Sequence, residues 1–262
     1  MIEQGFTVSG EGPVIIFLHS SLSSSKQWIR LANKLCDTYT CINIDLLGYG
    51  KADVVNDPSN FNFNVETLRI KNIVNSIAPN EKFHLVGHSC GGAIALKIAV
   101  EEPNNILSLT LFEPVAFHLL AQSTDENHNR LALNVKEFSE NIGSMNNKKG
   151  AESFIDFWNG KGFYSSLPSK IQSTMANDIE KVKLDFIGIL NESYNFEALR
   201  NIHCPCLILL GKYSQEVSQV LSQAIVDSLT FVEFKSVKSG HMAPISHPSV
   251  VEPAIYSFIK NI

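Results

Sequence analysis

Short apolar runs alternate along this chain with stretches in which apolar residues recur at helical spacing. The runs are nearly continuous, which is typical of strands buried on both faces; they cover residues 13–18, 40–45, 82–86, 106–112, 206–210 and 231–234. The helical spacing occurs at residues 26–36, 65–78, 93–100, 217–229 and 250–259. Helices between successive buried strands allow those strands to pair in parallel. We therefore expect an α/β fold with a mostly parallel sheet covered by helices on both faces.

Residues 115–200 interrupt this alternation. They contain no convincing strand but four helical stretches, at residues 130–142, 151–158, 168–187 and 196–202. Ligands bind at the carboxyl ends of the strands in open α/β sheets, and an insertion before the last strands would lie over those ends. We expect a core formed by residues 1–114 and 201–262 and a helical cap formed by residues 115–200. The alternative is an added helical layer with no gating role.

Composition and charge narrow the class of protein. The chain has 262 residues, of which 44% are apolar and 18% charged, so a sizeable core is available and global disorder is not expected. The net charge of −5 and the absence of a basic block argue against a nucleic-acid partner. No apolar run reaches membrane-spanning length, and residues 1–5 lack the basic region of a signal peptide. We expect a cytoplasmic protein; its oligomeric state leaves no signal in the sequence.

The five cysteines and eight histidines form no recognisable metal or redox motif. Cys204 and Cys206 are separated by one residue rather than the two of a redox pair, and no second cysteine pair or histidine pair completes a zinc site. We expect five reduced thiols, no metal and no organic cofactor.

The hexapeptide Gly-His-Ser-Cys-Gly-Gly at residues 87–92 carries the strongest functional signal. It lies between a predicted strand and a predicted helix, where Gly-x-Ser-x-Gly forms a nucleophile elbow. The turn holds Ser89 in a strained backbone conformation at the positive end of the following helix. Gly87 and Gly91 allow neighbouring chain to pass close by. The pattern therefore indicates an exposed serine nucleophile above the sheet.

Three further motifs accompany the elbow in a fixed order. His19-Ser20-Ser21 follows the first buried strand, an Asp-x-x-Gly-x-Gly turn occupies residues 45–50, and Gly240-His241 lies near the end of the chain. With these motifs the chain resembles the α/β-hydrolase superfamily, particularly its capped serine esterase-like members, over essentially its whole length. Ser20 departs from the glycine that is usual in the family after the loop histidine.

The resemblance implies roles for four residues. Ser89 would be the nucleophile and His241 the base that removes its proton and later protonates the leaving group. The backbone N–H groups of Cys90 and Ser21 would hold the oxyanion. His19 and Asp45 are expected to stabilise local structure rather than to catalyse.

The acid that should orient His241 departs from the family pattern. Ser214 stands at the usual position, after the next-to-last strand, and a serine cannot neutralise an imidazolium. The family also tolerates the acid after the preceding strand, which here is Glu113. A carboxylate at the end of a buried strand needs a partner, and His241 would supply one. Glu113 is therefore the first candidate, Glu216 the second and a dyad without an acid the third.

The substrate pocket is predicted from aromatic and apolar side chains around these motifs. The expected lining residues are Trp28, Phe117, Trp158 and Met242. Phe154, Phe157 and Phe163 could line an acyl pocket too, or could simply form the core of the cap.

A serine nucleophile excludes the branches of the superfamily that form an alkyl-enzyme ester on aspartate. We expect a hydrolase of carboxylic esters or thioesters of small to medium apolar substrates, acting through an acyl-enzyme without a cofactor. Two alternatives remain: an acyltransferase or lyase on the same fold, and a non-catalytic ligand-binding protein with a degenerate triad, for which the missing acid at Ser214 is the main support.

Overall fold

A computed structural model of the protein describes residues 3–262; Met1 and Ile2, at the start of the expected core and of the stretch inspected for a signal peptide, lie outside the described residues. Seven strands form one sheet: β1 Phe6–Ser9, β2 Val14–Leu18, β3 Thr40–Ile44, β4 Phe83–His88, β5 Ile106–Phe112, β6 Cys206–Gly211 and β7 Val232–Val237. Their order across the sheet is β1-β3-β2-β4-β5-β6-β7. All neighbouring pairs are parallel except β1 with β3. The predicted fold class is confirmed.

The helices connect the strands and cover the sheet. They are α1 Ile29–Leu35, α2 Phe63–Ile77, α3 Cys90–Glu101, α4 His118–Ala121, α5 Glu126–Ser144, α6 Asn147–Asn159, α7 Phe163–Ser166, α8 Ser169–Leu190, α9 Glu216–Ser228, α10 Ala243–Ser246 and α11 Pro248–Lys260. Short 3₁₀ turns occur at Ser25–Trp28, Pro58–Asn60, Pro103–Asn105 and Ala198–Asn201. The last of these replaces the predicted helix at 196–202, which is wrong in type.

Two apolar clusters lie on opposite faces of the sheet because successive strand side chains point to opposite sides. On β2, Ile16 belongs to the larger cluster, whereas Ile15 and Phe17 belong to the smaller one. Helices α2, α3, α8 and α9 contribute to the larger cluster, and α1 and α11 to the smaller. Burial on both faces explains why the strands are continuous apolar runs in the sequence.

Strand β1 was not predicted. It has four residues, pairs antiparallel with β3 at the edge of the sheet, and Val8 is 43% exposed. An edge strand this short carries no apolar run, so the pattern that reveals the buried strands does not reveal it.

Helices α4 to α8 all lie between β5 and β6, and we refer to residues 118–201 as the helical segment. Its longest member, α8, has 22 residues. Two helices begin earlier than their apolar spacing predicts, because polar side chains cap them: Asp125 accepts from the His128 N–H at 2.9 Å, and Asn146 from the Lys149 N–H at 3.1 Å.

The helical segment reaches the carboxyl ends of the central strands through α8. The Asp185 carboxylate accepts hydrogen bonds from Ser21, in the loop after β2, and from Tyr49, in the loop after β3. Close packing supports this placement, since a Cβ at Gly188 would lie 2.4 Å from the ring of Phe63. Within residues 3–262, no helix is long and apolar enough to cross a bilayer, and no cluster of three His, Cys, Asp or Glu side chains is arranged to hold a metal ion.

Candidate active site

Ser89 occupies the turn between β4 and α3 with a strained backbone, at φ 54° and ψ −118°. A positive φ is unfavourable for a residue with a Cβ. The surrounding chain holds it there: the Ser89 N–H donates to the Phe112 carbonyl at 3.1 Å, and the Ser89 carbonyl accepts from the Ala93 and Val115 N–H groups. The hydroxyl therefore projects from a turn anchored to two neighbouring elements.

Two glycines make this turn possible. A Cβ at Gly91 would lie 2.4 Å from the His19 carbonyl oxygen, and a Cβ at Gly87 would lie 2.5 Å from the Gly91 carbonyl oxygen. Both contacts are with backbone, which cannot move aside as a flexible side chain can. Any side chain at either position would displace Ser89 from its place between the strand and the helix.

The His241 imidazole connects Ser89 to Glu113. Its Nε2 lies 3.0 Å from the Ser89 Oγ, and its Nδ1 lies 2.8 Å from the Glu113 Oε2. All three residues are buried. An ionised carboxylate only accepts hydrogen bonds, so Nδ1 carries the proton and Nε2 is free to accept the Ser89 hydroxyl proton.

Glu113 is held by more than the histidine. Its backbone is strained, with φ at 42°, and its N–H donates to the Leu209 carbonyl at 3.1 Å. The Oε1 atom accepts from the Gly211 N–H at 2.7 Å and from the Ser214 hydroxyl at 2.5 Å. Ser214, at the position where the family usually has its acid, thus donates to the carboxylate that lies beside His241. Three donors satisfy a charge that would otherwise be costly to bury.

Glu216, the second candidate acid, is not brought to His241. Its side chain is 60% exposed and forms an ion pair with Arg130 at 2.6 Å. The first residue of α9 therefore faces the surface rather than the imidazole.

Two neighbouring histidines support the backbone around the site. The His88 Nε2 donates to the His241 carbonyl at 2.9 Å, which links the turn before Ser89 to the loop that carries the imidazole. The His19 Nδ1 donates to the Ser20 carbonyl at 2.7 Å, and its Nε2 accepts the Leu46 N–H at 2.9 Å. Burial lowers the pKa of His19 to about 4, so it is a neutral structural residue. His88 was not predicted to have such a role.

The two expected oxyanion donors flank Ser89. Cys90 is the first residue of α3, where backbone N–H groups have no carbonyl partner one turn earlier. Ser21 follows β2 and lines the small cavity that contains Ser89. In the described chain, neither N–H is hydrogen-bonded to another protein group.

Aromatic side chains close the site. The cavity at Ser89 has a volume of about 10 Å³, roughly the space of one water. Phe117 and Trp158, two of the expected pocket residues, line it together with Phe154 and Phe186. Three of these residues, Phe117, Trp158 and Phe186, also line a neighbouring cavity of about 190 Å³, whose other apolar walls are Leu131, Val135, Phe138, Phe157 and Val217.

Two other predicted pocket residues are placed differently. Trp28 does not line the pocket: it is buried in the smaller apolar cluster against Phe17 and donates its Nε1–H to the Leu18 carbonyl at 3.0 Å. Its position in the helical pattern could not distinguish the core from the pocket. Met242 is half-buried and packs against the larger cluster beside His241.

Polar residues on α2 and α8 border the site without having been predicted. Asp185 lines the Ser89 cavity, and Lys181 lies one turn before it, buried with Glu66. A lysine and an aspartate four residues apart resemble an ordinary surface pair in the sequence. Only the packing of α8 against the loops shows that they are buried.

A comparison with protein-family models gives one match, to the α/β-hydrolase fold, over residues 13–248. The chain belongs to this family. The predicted superfamily is therefore confirmed.

Individual relatives within the family differ in chemistry. The chain is 30% identical to a fluoroacetate dehalogenase of a Burkholderia species over 45% of this chain and 40% of that protein, so it spans less than half of that relative. It is 22% identical to a 2-succinyl-6-hydroxy-2,4-cyclohexadiene-1-carboxylate synthase described as putative in Bacillus subtilis, over 98% of this chain and 95% of that one. A thermophilic esterase from Thermogutta terrifontis superposes with a TM-score of 0.77 at 20% identity, over 98% and 92% of the two chains. The last likeness shows the fold alone.

Proposed function

We propose that the protein is a serine hydrolase that cleaves carboxylic esters or thioesters of small to medium apolar acyl groups. The single observation that carries the proposal is the unbroken hydrogen-bond chain from Ser89 through His241 to Glu113, with distances of 3.0 and 2.8 Å. A serine hydroxyl becomes nucleophilic when a base lies within hydrogen-bond distance and a third group orients that base.

The proposed reaction has two halves. His241 Nε2 accepts the Ser89 proton as Oγ attacks the carbonyl carbon, and the imidazolium then protonates the leaving alcohol or thiol as its bond to carbon breaks. Water repeats these steps on the acyl-enzyme, which releases the carboxylic acid and restores Ser89. Glu113 holds the Nδ1 proton throughout and stabilises the imidazolium.

The carbonyl oxygen becomes an oxyanion in each half. The N–H groups of Cys90 and Ser21 are the proposed donors, because both flank Ser89 and both lack a protein acceptor within residues 3–262. The amino end of α3 adds a favourable partial positive charge. Loss of one such donor typically lowers turnover by about 10²–10³.

The cavities favour an uncharged apolar acyl group. The 190 Å³ cavity is much larger than the cavity at Ser89, and most of its wall is aromatic or aliphatic. The charged residue that lines the Ser89 cavity is an aspartate, Asp185. A carboxylate on the substrate or product would be repelled beside it, which argues against a reaction such as the one named for the Bacillus subtilis relative, whose product is a carboxylate.

We further propose that the helical segment is a cap that opens to admit substrate. The cavity of about 10 Å³ at Ser89 is too small for an ester, and Trp158 of α6 lines both this cavity and the larger one, as Phe117 and Phe186 do. Movement of Trp158 would join the two cavities. In the closed form Ser89 has little contact with bulk water, being 6% exposed. Restricted access of water favours the acyltransferase alternative, which added alcohols that yield new esters would reveal.

Two other reactions fit the site less well. Halide displacement, which the name of the Burkholderia relative implies, proceeds in this superfamily on an aspartate nucleophile, and position 89 is serine. The non-catalytic alternative relied on a missing acid at Ser214, but Ser214 donates to Glu113 at 2.5 Å, an arrangement that supports a complete triad.

An active-site-directed fluorophosphonate tests the proposal. The intact mass of wild-type protein should increase by one adduct, and Ser89→Ala should abolish it. Ser166→Ala, which removes an exposed serine of α7, is the matched control and should label like wild type. Esterase activity on short p-nitrophenyl esters should disappear in Ser89→Ala and be retained in Ser166→Ala. A folded wild type that neither labels nor hydrolyses any ester would overturn the proposal.

A further inference from the structure

A buried polar network borders the Ser89 cavity, and the side chains that form it take part in none of the proposed reaction steps. Asp185 of α8 is its centre and is 1% exposed. The Oδ2 atom accepts from the Ser21 hydroxyl at 2.6 Å and from the Tyr49 hydroxyl at 2.7 Å, and Oδ1 accepts from the Lys181 ammonium. Ser21 and Tyr49 lie in different loops, so one carboxylate joins α8 to both.

The other charged side chains of the network are Lys181 and Glu66. Lys181 also lies 3.3 Å from the Glu66 Oε1. Burial disfavours its ammonium, but Asp185 and Glu66 together raise the pKa of Lys181 above its ordinary value. Burial and the nearby Asp185 raise the pKa of Tyr49, which therefore stays protonated and donates. The network is thus one cation between two carboxylates, with two hydroxyl donors.

This network touches the loop that carries one proposed oxyanion donor. Ser20, before Ser21, is held by Gln27, whose Oε1 accepts from its N–H at 3.1 Å; Leu22, after Ser21, has φ at 54°. The Ser21 side chain itself is held by Asp185. A loop with a positive φ needs such restraints, because relaxation of its backbone would move the Ser21 N–H from the place proposed for it beside the oxyanion.

The network also borders the second donor. Asp185 lines the same cavity as Ser89, the residue that precedes Cys90 at the start of α3. Burial, followed by the charge of Asp185, raises the pKa of the Cys90 thiol. A negative charge beside an oxyanion opposes the reaction, and Lys181 offsets it only in part because Glu66 shares the same ammonium. The charge of Asp185 therefore does not favour the oxyanion, whereas its hydrogen bond to Ser21 restrains the loop that carries the proposed donor.

We propose that Asp185 is a positioning residue that fixes the Ser21 loop in the geometry that binds the oxyanion, so that the oxyanion site is complete only when α8 is docked on the sheet. The inference rests on the proposed function. It makes the helical segment part of the catalytic geometry, beyond any role in covering the substrate.

Asp185→Asn tests the inference because a positioning role and a purely electrostatic role of Asp185 predict opposite changes in kcat. The variant keeps the size of the side chain but removes the charged acceptor, so loosening of the Ser21 loop should lower kcat about 10- to 100-fold, a part of the loss seen when a donor is removed outright. KM should stay within about threefold, because the oxyanion forms after substrate binds. If Asp185 acted only through its charge, its neutralisation would raise kcat.

Ser21→Ala and Tyr49→Phe form a matched pair of further variants. Each removes one hydroxyl donor to the same Asp185 oxygen, but only Ser21 belongs to the oxyanion loop. Both should lower the melting temperature by a few degrees, whereas kcat should fall about tenfold in Ser21→Ala and much less in Tyr49→Phe. The double variant Ser21→Ala/Asp185→Asn should be no slower than Asp185→Asn, because both substitutions break the same link.

Each outcome bears on one proposal. A kcat loss confined to the Ser21 and Asp185 variants, with coupled effects, supports the positioning role. Equal kcat in Ser21→Ala and Tyr49→Phe, or a faster Asp185→Asn, overturns it; if Asp185→Asn does not fold, the Ser21 and Tyr49 pair alone decides. Wild type that is not labelled at Ser89 by the fluorophosphonate overturns the proposed function instead, so the two failures are distinguishable.

Discussion

The indole of Trp158 is stacked on the imidazole of His241, with ring centroids 3.8 Å apart and an interplanar angle of 22°. Phe157, its neighbour on α6, meets the indole edge-on at 4.7 Å between centroids. One face of the proposed base is therefore covered by the helical segment rather than by water. An ester that reaches Ser89 must displace this stack, because the cavity there is only about 10 Å³.

Trp158→Leu is expected to widen the Ser89 site and change substrate preference. The smaller side chain joins the site to the 190 Å³ cavity without a ring movement, so kcat/KM for hexanoate esters should rise relative to acetate esters by about tenfold. Trp158→Phe keeps an aromatic ring over His241 and should change the ratio less. A ratio that is the same in all three proteins would show that Trp158 does not separate the cavities.

Glu113→Gln is expected to lower kcat by about 10⁴, the size of effect seen when an amide replaces the acid of a serine triad and favours the wrong histidine tautomer. The amide can still accept from Gly211 and Ser214, so the fold should be retained. Glu216→Gln, which breaks a surface ion pair with Arg130, should have an effect at least a hundredfold smaller. Steady-state rates on one ester, with circular dichroism for folding, compare them. The reverse ranking would assign the acid to Glu216.

Much of the fold could be predicted from the sequence because strands buried on both faces of a parallel sheet consist of nearly continuous apolar residues. The starts of α5 and α6 were predicted four residues late, since their first turns are polar; the caps Asp125 and Asn146 were the available signal. Strand β1 was missed because it has no apolar run, and its alternation of apolar and polar residues covers only four positions.

The candidate site divides along similar lines. Ser89, His241 and Glu113 could be proposed because each follows a strand or a glycine motif that limits where its side chain can lie. Asp185 could not, because its partners Ser21 and Tyr49 are 164 and 136 residues away in the sequence. Trp28 was assigned wrongly to the pocket because apolar spacing marks a buried position but does not show whether that position faces the pocket or the core.

Leu131→Phe is expected to shorten the preferred acyl chain. Leu131 is buried in the wall of the 190 Å³ cavity, and the added ring atoms should exclude longer chains while acetate esters still react. Leu133→Phe is the matched control, because Leu133 lies on the same helix and is 66% exposed. A profile of p-nitrophenyl esters from two to eight carbons measures the effect. Identical profiles for both variants would place the acyl group elsewhere.

Stability is expected to fall as the pH drops from about 6.5 towards 4. Burial lowers the pKa of His19, His84 and His118 to about 4 and that of His88 well below 6.5. In this window the unfolded chain binds protons that the folded chain does not, so each fully buried histidine costs about 1.4 kcal/mol per pH unit. Urea unfolding at pH 7.5 and 5.0 measures the loss. His84→Asn, remote from Ser89, should recover part of it; an unfolding free energy independent of pH would contradict the neutral state of these rings.

Two glycine substitutions are expected to change stability in opposite directions. Gly143 lies near the end of α5, where an added Cβ meets no atom within 4 Å. Gly143→Ala should therefore stabilise the protein by roughly 0.5–1 kcal/mol, because alanine loses less backbone entropy on folding.

Gly91→Ala places a Cβ 2.4 Å from the His19 carbonyl oxygen and 2.6 Å from the Leu18 carbonyl carbon, both on backbone. The turn at Ser89 must shift to relieve that overlap, so urea unfolding should show a large loss of stability and the fluorophosphonate should label slowly. A stable, rapidly labelled Gly91→Ala protein would mean that the approach of the elbow to the His19 loop is looser than the structure shows.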